Sequence, residues 1–400
     1  MRKTVQPVDP ATIRFDDAAP RVARIAGVIG VLGLLASVGL GLTAGWPRFF
    51  QSYLVSFAFF LSLSVGALFF VMLQHLVRAG WSVVVRRLAE SLAMNIPALA
   101  VAFLPILLAL PMIYLWATPE GMANPLIAAK RGYLNTVFFI VRWVVFFGLW
   151  SLLAWFFWRN STSQDLTGDV AHNRRMEKLS APAMVFFALT LNFAAFDLLM
   201  SLDPTWFSTI FGVYYFSGGI VGFFACLSLL TILLQRGGKL RGVVTDEHYH
   251  DLGKLVFGFT VFWAYIAFSQ FMLIWYANIP EETNWFSHRV HGPWQGVAWL
   301  LLFGHFWIPF FYLLPRFVKR RPKLFGPMAA WVLLMCYVDL YWLVLPQSSP
   351  DRIPLHPMDV TLPIGMGGLW LALAAHRLGK RSLVPVRDPR LPESLAFENA

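Results

Sequence analysis

The sequence predicts an all-α polytopic membrane protein with about ten transmembrane helices, and three observations predict it. The 400-residue chain is 58% hydrophobic and only 13% charged, well under the charge a soluble domain carries. Its apolar residues fall in separate runs, each near the ~20 residues that take a helix across a hydrocarbon core; a membrane β-barrel would instead show ~10-residue alternating segments. Its basic residues gather in alternate loops, the asymmetry of a chain threaded through a bilayer.

In order, the spans are 24–45, 51–77, 94–116, 132–158, 182–201, 210–235, 252–278, 294–317, 324–345 and 359–377. Before the first lies a polar stretch, MRKTVQPVDPATIRFDDAAPRVAR, which lacks the short apolar core and cleavage site of a signal peptide. Residues 1–23 are therefore expected as a tail, 24–377 as a single transmembrane domain and 378–400 as a second tail. The third span holds Pro97, Pro105 and Pro111 and should be kinked, because neighbouring helices can satisfy the carbonyls a proline frees. The tenth, VTLPIGMGGLWLALAAH, is short and Gly-rich. Spans 2–5 and 6–9 are expected to form two four-helix groups with the first and last at the periphery.

Orientation follows from the 32 Lys and Arg residues. Two tails and the loops on their side carry 26 of them. The opposite loops hold Arg48, Lys130, Arg131, Arg289 and Arg352, and Arg142 is inside a span. Both termini are thus expected in the cytoplasm, which also requires an even number of spans. The outer loops are 43–50, 117–131, 202–209, 279–293 and 346–358, and Trp46, Trp116, Trp206, Trp285 and Trp294 mark an aromatic belt at that interface. The net charge of +11 does not point to nucleic acid, because it is distributed by this rule. The only cysteines, Cys226 and Cys336, lie in apolar runs, and no C-x-x-C-H or cysteine cluster is present. This excludes attached c-type haem and a cysteine-ligated iron–sulfur cluster in this chain.

Ionisable groups inside spans are costly and are functional candidates by default. They are Arg142, Asp197, Asp339 and His305, with His75 near the cytoplasmic end of the second span. Arg142, Asp197, Asp339 and Gln270 all count to the outer half of the membrane. One reading is a polar pocket or proton relay of Asp197 and Asp339 tuned by Arg142, with His305 linking toward His75. The other is an internal Arg–carboxylate pair plus a packing hydrogen bond from Gln270; which aspartate pairs with Arg142 stays open. Ser269, Gln270 and Tyr265 of the seventh span are candidates for lining a quinone or polar pocket. Glu281, Glu282, His288 and His291 of the outer loop match no metal motif and are candidates for partner docking; no metal site is expected. On the inner side Asp246, Glu247, His248, His250 and Asp251 read as a solvated loop, with Asp251 as N-cap of the seventh span, or as a proton-collecting antenna at the inner mouth.

Two stretches, FDLLMSLDPTWFSTIFGVYYFSGG and HDLGKLVFGFTVFWAYIAFSQFMLIWYANIPEET, resemble the second large membrane subunit of bacterial alternative complex III. That subunit is a branch of the NrfD-like, polysulfide-reductase-type family. The likeness runs over roughly residues 20–380 and is densest over 180–345. It implies a core of two four-helix bundles and membership of a quinol:cytochrome c oxidoreductase of the bacterial inner membrane. It also implies a homologous quinol-binding subunit, an iron–sulfur protein, c-type haem proteins and small membrane subunits as partners. The redox cofactors would sit on those partners and none on this chain, with quinol as a possible ligand. The chain would not be catalytic alone: it would support quinol oxidation, with proton half-channels as one role. The alternatives are a purely structural anchor of that complex and a stand-alone transporter, the latter weakened by the lack of an evident inverted repeat.

Overall fold

The structure is a computed structural model, and it describes residues 9–399. Residues 1–8 of the expected N-terminal tail, and Ala400, lie outside the described residues. Ten helices are long and apolar enough to cross a membrane, and among the described residues there is no strand. The chain is an all-α polytopic membrane protein.

The ten are α1 (Ala19–Ala44), α2 (Trp46–Leu76), α3 (Val83–Leu108), α4 (Thr136–Thr167), α5 (Ala171–Leu198), α6 (Phe211–Arg236), α7 (Asp246–Ala277), α8 (Gly292–Leu313), α9 (Pro322–Val344) and α10 (Met358–Leu378). Helices α2, α3, α4 and α5 close into one four-helix group, and α6, α7, α8 and α9 into a second. The groups meet along α2 and α6, and α2 is the most deeply buried span. Helix α1 packs mainly on α10 at the periphery. Their contact is backbone to backbone: a Cβ on Gly368 would fall 2.6 Å from the Ala26 carbonyl oxygen and the Gly30 nitrogen. Small residues permit this approach, and van der Waals packing rather than hydrophobic transfer holds helices together in lipid. The glycines that make the tenth span a weak sequence signal are what seat it.

The three prolines of the third span each sit in the first turn of a new helical segment, Ile96–Ala102, Leu104–Leu108 and Leu110–Ile113. Proline's missing N–H costs nothing there. The beginning of α3 departs from expectation. The helix starts at Val83 rather than 94, so Arg86, Arg87 and Glu90 stand within it, and all three are buried. A charged first turn depresses the hydropathy that marks a span, although tertiary contacts bury it.

The seventh helix also starts earlier. It opens at Asp246 behind Thr245, whose side chain forms a reciprocal capping box with His248. Asp251 is therefore not an N-cap; it lies within the helix, buried and paired to Lys254. The expected solvated cluster is the first turn and a half of α7, with Asp246 and Glu247 at its start and His248 and His250 buried.

The tails fold onto the body. The Leu383 N–H donates to the Ile13 carbonyl (2.7 Å) and the Leu240 N–H to the Thr12 carbonyl (2.7 Å), so both ends of the chain meet at one end of the bundle. Leu383 and Val384 are fully buried, and Ser394 donates to the Trp81 carbonyl at 2.6 Å. We call this end the termini side and the opposite end the far side.

Candidate functional site

The charged residues expected in one polar layer resolve into separate sites. Arg142 on α4 grips Asp197 on α5 with two parallel bonds, Nε to Oδ2 at 2.7 Å and Nη2 to Oδ1 at 2.9 Å. Its third nitrogen donates to the Tyr133 carbonyl (3.0 Å), and the guanidinium lies on the Tyr133 and Phe138 rings, 3.9 and 4.3 Å from their centroids. This fork geometry is the strong form of the ion pair. Asp197, fully buried, thus has its charge neutralised within the first bundle.

Asp339 sits in the second bundle and meets no cation. Its Oδ1 accepts from the Tyr214 hydroxyl of α6 at 2.5 Å and its Oδ2 from the Trp263 indole N–H of α7 at 3.1 Å. A cavity of about 10 Å³ lies beside it, walled by Ser62, Tyr214, Tyr215, Cys336 and Leu343. That is close to the space one water needs, and far below the ~300 Å³ at which ligand pockets begin. Close approach of α2 and α6 shapes the wall: a Cβ on Gly219 would come within 2.9 Å of the Ser62 Cβ.

His305 completes this cluster. Its ring lies on Trp263, centroids 3.9 Å apart, and its Nε2 is 3.6 Å from the Cys336 Sγ. Its Nδ1 has no hydrogen-bond partner among the described residues. The backbone explains the placement. Residues Leu301–Trp307 wind as a π-helix, a form that recurs at functional sites. Pro309 follows, and its nitrogen has no hydrogen to give to the turn before it. The Gly304 carbonyl is instead taken by the Trp331 indole of α9 at 2.7 Å. One indole thus positions the segment bearing His305, and another, Trp263, links His305 to Asp339.

The remaining candidates scatter. His75 is fully buried at the termini side, stacked on Phe157 at 5.6 Å, with no partner on either ring nitrogen among the described residues. No hydrogen-bonded chain among the described residues joins it to His305. Gln270 is buried and accepts from the Ser208 hydroxyl at 3.4 Å, near the far-side loop. Ser269 is half-buried, and Tyr265 is 65% exposed on the outer flank of α7. Tyr265 therefore does not line an interior pocket; its place on the helix turns it outward. Glu281, Glu282 and His288 lie on a short helix, Pro280–Val290, with His291 just beyond. That helix is amphipathic: it buries Trp285, Phe286 and Arg289 and leaves Glu281 and His291 exposed. Arg289, expected as a loop cation, donates to the Trp285 and Leu343 carbonyls at 2.9 Å each. Among the described residues no cluster of three or more His, Cys, Asp or Glu side chains is placed to hold a metal.

A third polar cluster, absent from the sequence expectations, fills the termini side of the first bundle. Arg87 pairs with Glu90 (3.0 Å) and Asp165 (2.8 Å), and Arg86 with Glu90 (3.5 Å) and Asp388. Asp388 comes from the C-terminal segment. Burial pushes its carboxyl up, but the Arg86 charge and the Arg390 backbone N–H outweigh this and hold it below the ordinary range. Arg390 in turn pairs with Glu177 at 2.6 Å.

No protein-family model matches the chain, and no curated protein matches it in sequence.

Proposed function

We propose that this chain is a membrane subunit of a respiratory or photosynthetic quinol-oxidising complex of the alternative complex III type, one that holds no redox cofactor itself and helps couple quinol oxidation to proton movement. Its redox centres, haem c and iron–sulfur clusters, belong on partner proteins, and a homologous NrfD-like subunit binds quinol beside it. It sits in the bacterial inner membrane with the termini side in the cytoplasm; the 26-to-5 division of basic residues supports that orientation.

The observation that carries the reading is Asp339. It is a carboxylate within a membrane span, met by two neutral donors and no cation, beside a water-sized cavity and a histidine. An isolated buried carboxylate is expensive as a charge, and no neighbouring cation offsets that cost, which makes Asp339 the candidate for passing a proton. Asp197 is a poor relay by the same argument, since Arg142 already neutralises it. The alternative, a structural anchor, draws support from the Arg142–Asp197 fork and the Arg86–Arg87 cluster, both of which serve packing.

The test begins with mild-detergent purification of the tagged chain from its native membranes, with haem and iron assayed in the sample. Co-purification of haem c, iron–sulfur and NrfD-like subunits supports the complex; a chain that emerges alone without haem or iron sinks it and favours transport. In the purified complex, Asp339→Asn should lower proton release per quinol oxidised while subunit composition persists. Unchanged proton release would leave the anchor as the better reading.

A further inference from the structure

A second cavity shares no lining residue with the one beside Asp339. It opens on the far side of the first bundle, with a volume of about 340 Å³, within the range of small-ligand sites. The loop before α4, the end of α5 and the loop beyond it build the cavity. Since α4 starts at Thr136 and α5 ends at Leu198, it straddles the level at which two spans leave the hydrocarbon, where lipid headgroups sit. Its walls include Phe196, Met200 and Phe207, and Phe207 is 59% exposed.

Two charges of opposite sign line it. The Lys130 ammonium donates to the Pro204 carbonyl at 2.7 Å and lies 5.6 Å from the centre of the Phe207 ring. Burial pulls Lys130 below the ordinary lysine range, and Asp203 offsets this only in part. Asp203 is buried, and its Oδ1 accepts from the backbone and hydroxyl of Thr205 at 3.2 and 2.7 Å. Neither residue makes an ion pair, with the other or with any further described residue. Asp203 is buried and Lys130 half-buried on one cavity, each without a counter-charge, and a ligand that answers both would offset that cost.

We propose that this pocket binds the headgroup of a phospholipid bearing a primary amine, of the phosphatidylethanolamine class, with its phosphate at Lys130, its ammonium at Asp203 and an acyl chain along Phe196 and Phe207. The chemistry selects among membrane molecules. A phosphatidylglycerol headgroup satisfies Lys130 but brings only neutral hydroxyls to Asp203 and leaves its charge without a counter-charge. A choline headgroup has no N–H to give to Asp203. A quinone is uncharged and leaves both residues unanswered. This site is independent of the proposed electron-transfer role, and its test does not depend on turnover.

The protein, purified with whatever subunits accompany it, is delipidated and titrated with phosphatidylethanolamine, phosphatidylglycerol and phosphatidylcholine of matched chains, and retention is read by native mass spectrometry. The wild type should prefer the ethanolamine lipid by about tenfold over each of the others. A photoreactive ethanolamine lipid should crosslink to peptides covering 129–134 and 200–207. Asp203→Asn should erase the preference for the ethanolamine lipid over phosphatidylglycerol, and Lys130→Gln should weaken retention of all three lipids, since each carries the phosphate. Equal retention of the three lipids by the wild type, or crosslinks elsewhere on the protein, overturns the proposal even where a variant fails to fold. So does a variant pair that keeps the wild-type preference, or a native quinone recovered from the pocket in place of lipid.

Discussion

The two bundles each bury an aspartate among apolar helices, and they treat it in opposite ways. In the first, Asp197 is locked to Arg142 by a bidentate fork, and the arginine is covered on its faces by Tyr133 and Phe138. In the second, Asp339 meets only the hydroxyl of Tyr214 and the indole of Trp263. The first arrangement has one charge state that its surroundings accept. The second tolerates a neutral acid or, with the help of two donors, an ionised one. The same side chain is thus held in one bundle by a cation and in the other by neutral donors alone. Asp388 is an intermediate case: its cation, Arg86, belongs to α3, but the carboxylate arrives on the C-terminal segment rather than on a spanning helix.

Four changes would break or sharpen this contrast. The largest effect is expected from Arg142→Leu, which strands a fully buried carboxylate; breaking such a pair costs about 3–5 kcal/mol. Thermal unfolding in detergent should show it, and the double change Arg142→Leu with Asp197→Leu should recover much of the loss. A double variant no better than the single one would mean that the fork does more than neutralise.

Next is Trp331→Phe, which leaves the Gly304 carbonyl without its indole donor. The expected cost is about 1–3 kcal/mol, with faster amide exchange over residues 301–309. Unaltered exchange there would show that the π-helical stretch does not depend on this bond.

The third concerns pH. The Asp388 carboxyl is held below its free value of 3.8 in the folded chain, so its stabilising contribution is complete above about pH 4 and is lost as pH falls through the lowered folded value. Protease cleavage within residues 383–395 should therefore rise in acid, and Asp388→Asn should show raised cleavage already at neutral pH. Cleavage insensitive to both would place the anchoring in Leu383 and Val384 alone.

The smallest stability effect is expected from Asp339→Asn, within about 1 kcal/mol, because the amide oxygen still accepts from the Trp263 indole, the amide N–H can donate to the Tyr214 hydroxyl turned to accept, and no cation is stranded. A loss as large as that of Arg142→Leu would erase the distinction between the bundles.

Much of this was legible in the sequence for a simple reason. Polar groups in apolar runs are rare, so Arg142, Asp197, Asp339 and His305 stood out without any structure. Their partners did not. Tyr214 and Trp263 are aromatic residues in an aromatic-rich chain and look like packing until their polar atoms are seen on Asp339. Pro309, four residues after His305, was the available signal for irregular backbone at that histidine. Arg86, Arg87 and Glu90 escaped because charge at the start of a span reads as loop. The outward flank of Tyr265 was not legible, because sequence depth says nothing about which flank of a helix faces inward.

By itself the sequence determined the class of the protein and the number of its spans. Both follow from the cost of taking peptide groups and charges into hydrocarbon, a property of each segment taken alone. It also determined where the rare polar residues fall along each span. Only the tertiary structure decided that Arg142 belongs to Asp197 and not to Asp339, that α10 is seated on α1 through glycine, and that the C-terminal segment supplies a carboxylate to a buried arginine. Those outcomes depend on which helix faces meet, and the meeting of faces is set by the packing of side chains from distant parts of the chain rather than by the hydropathy of any one of them.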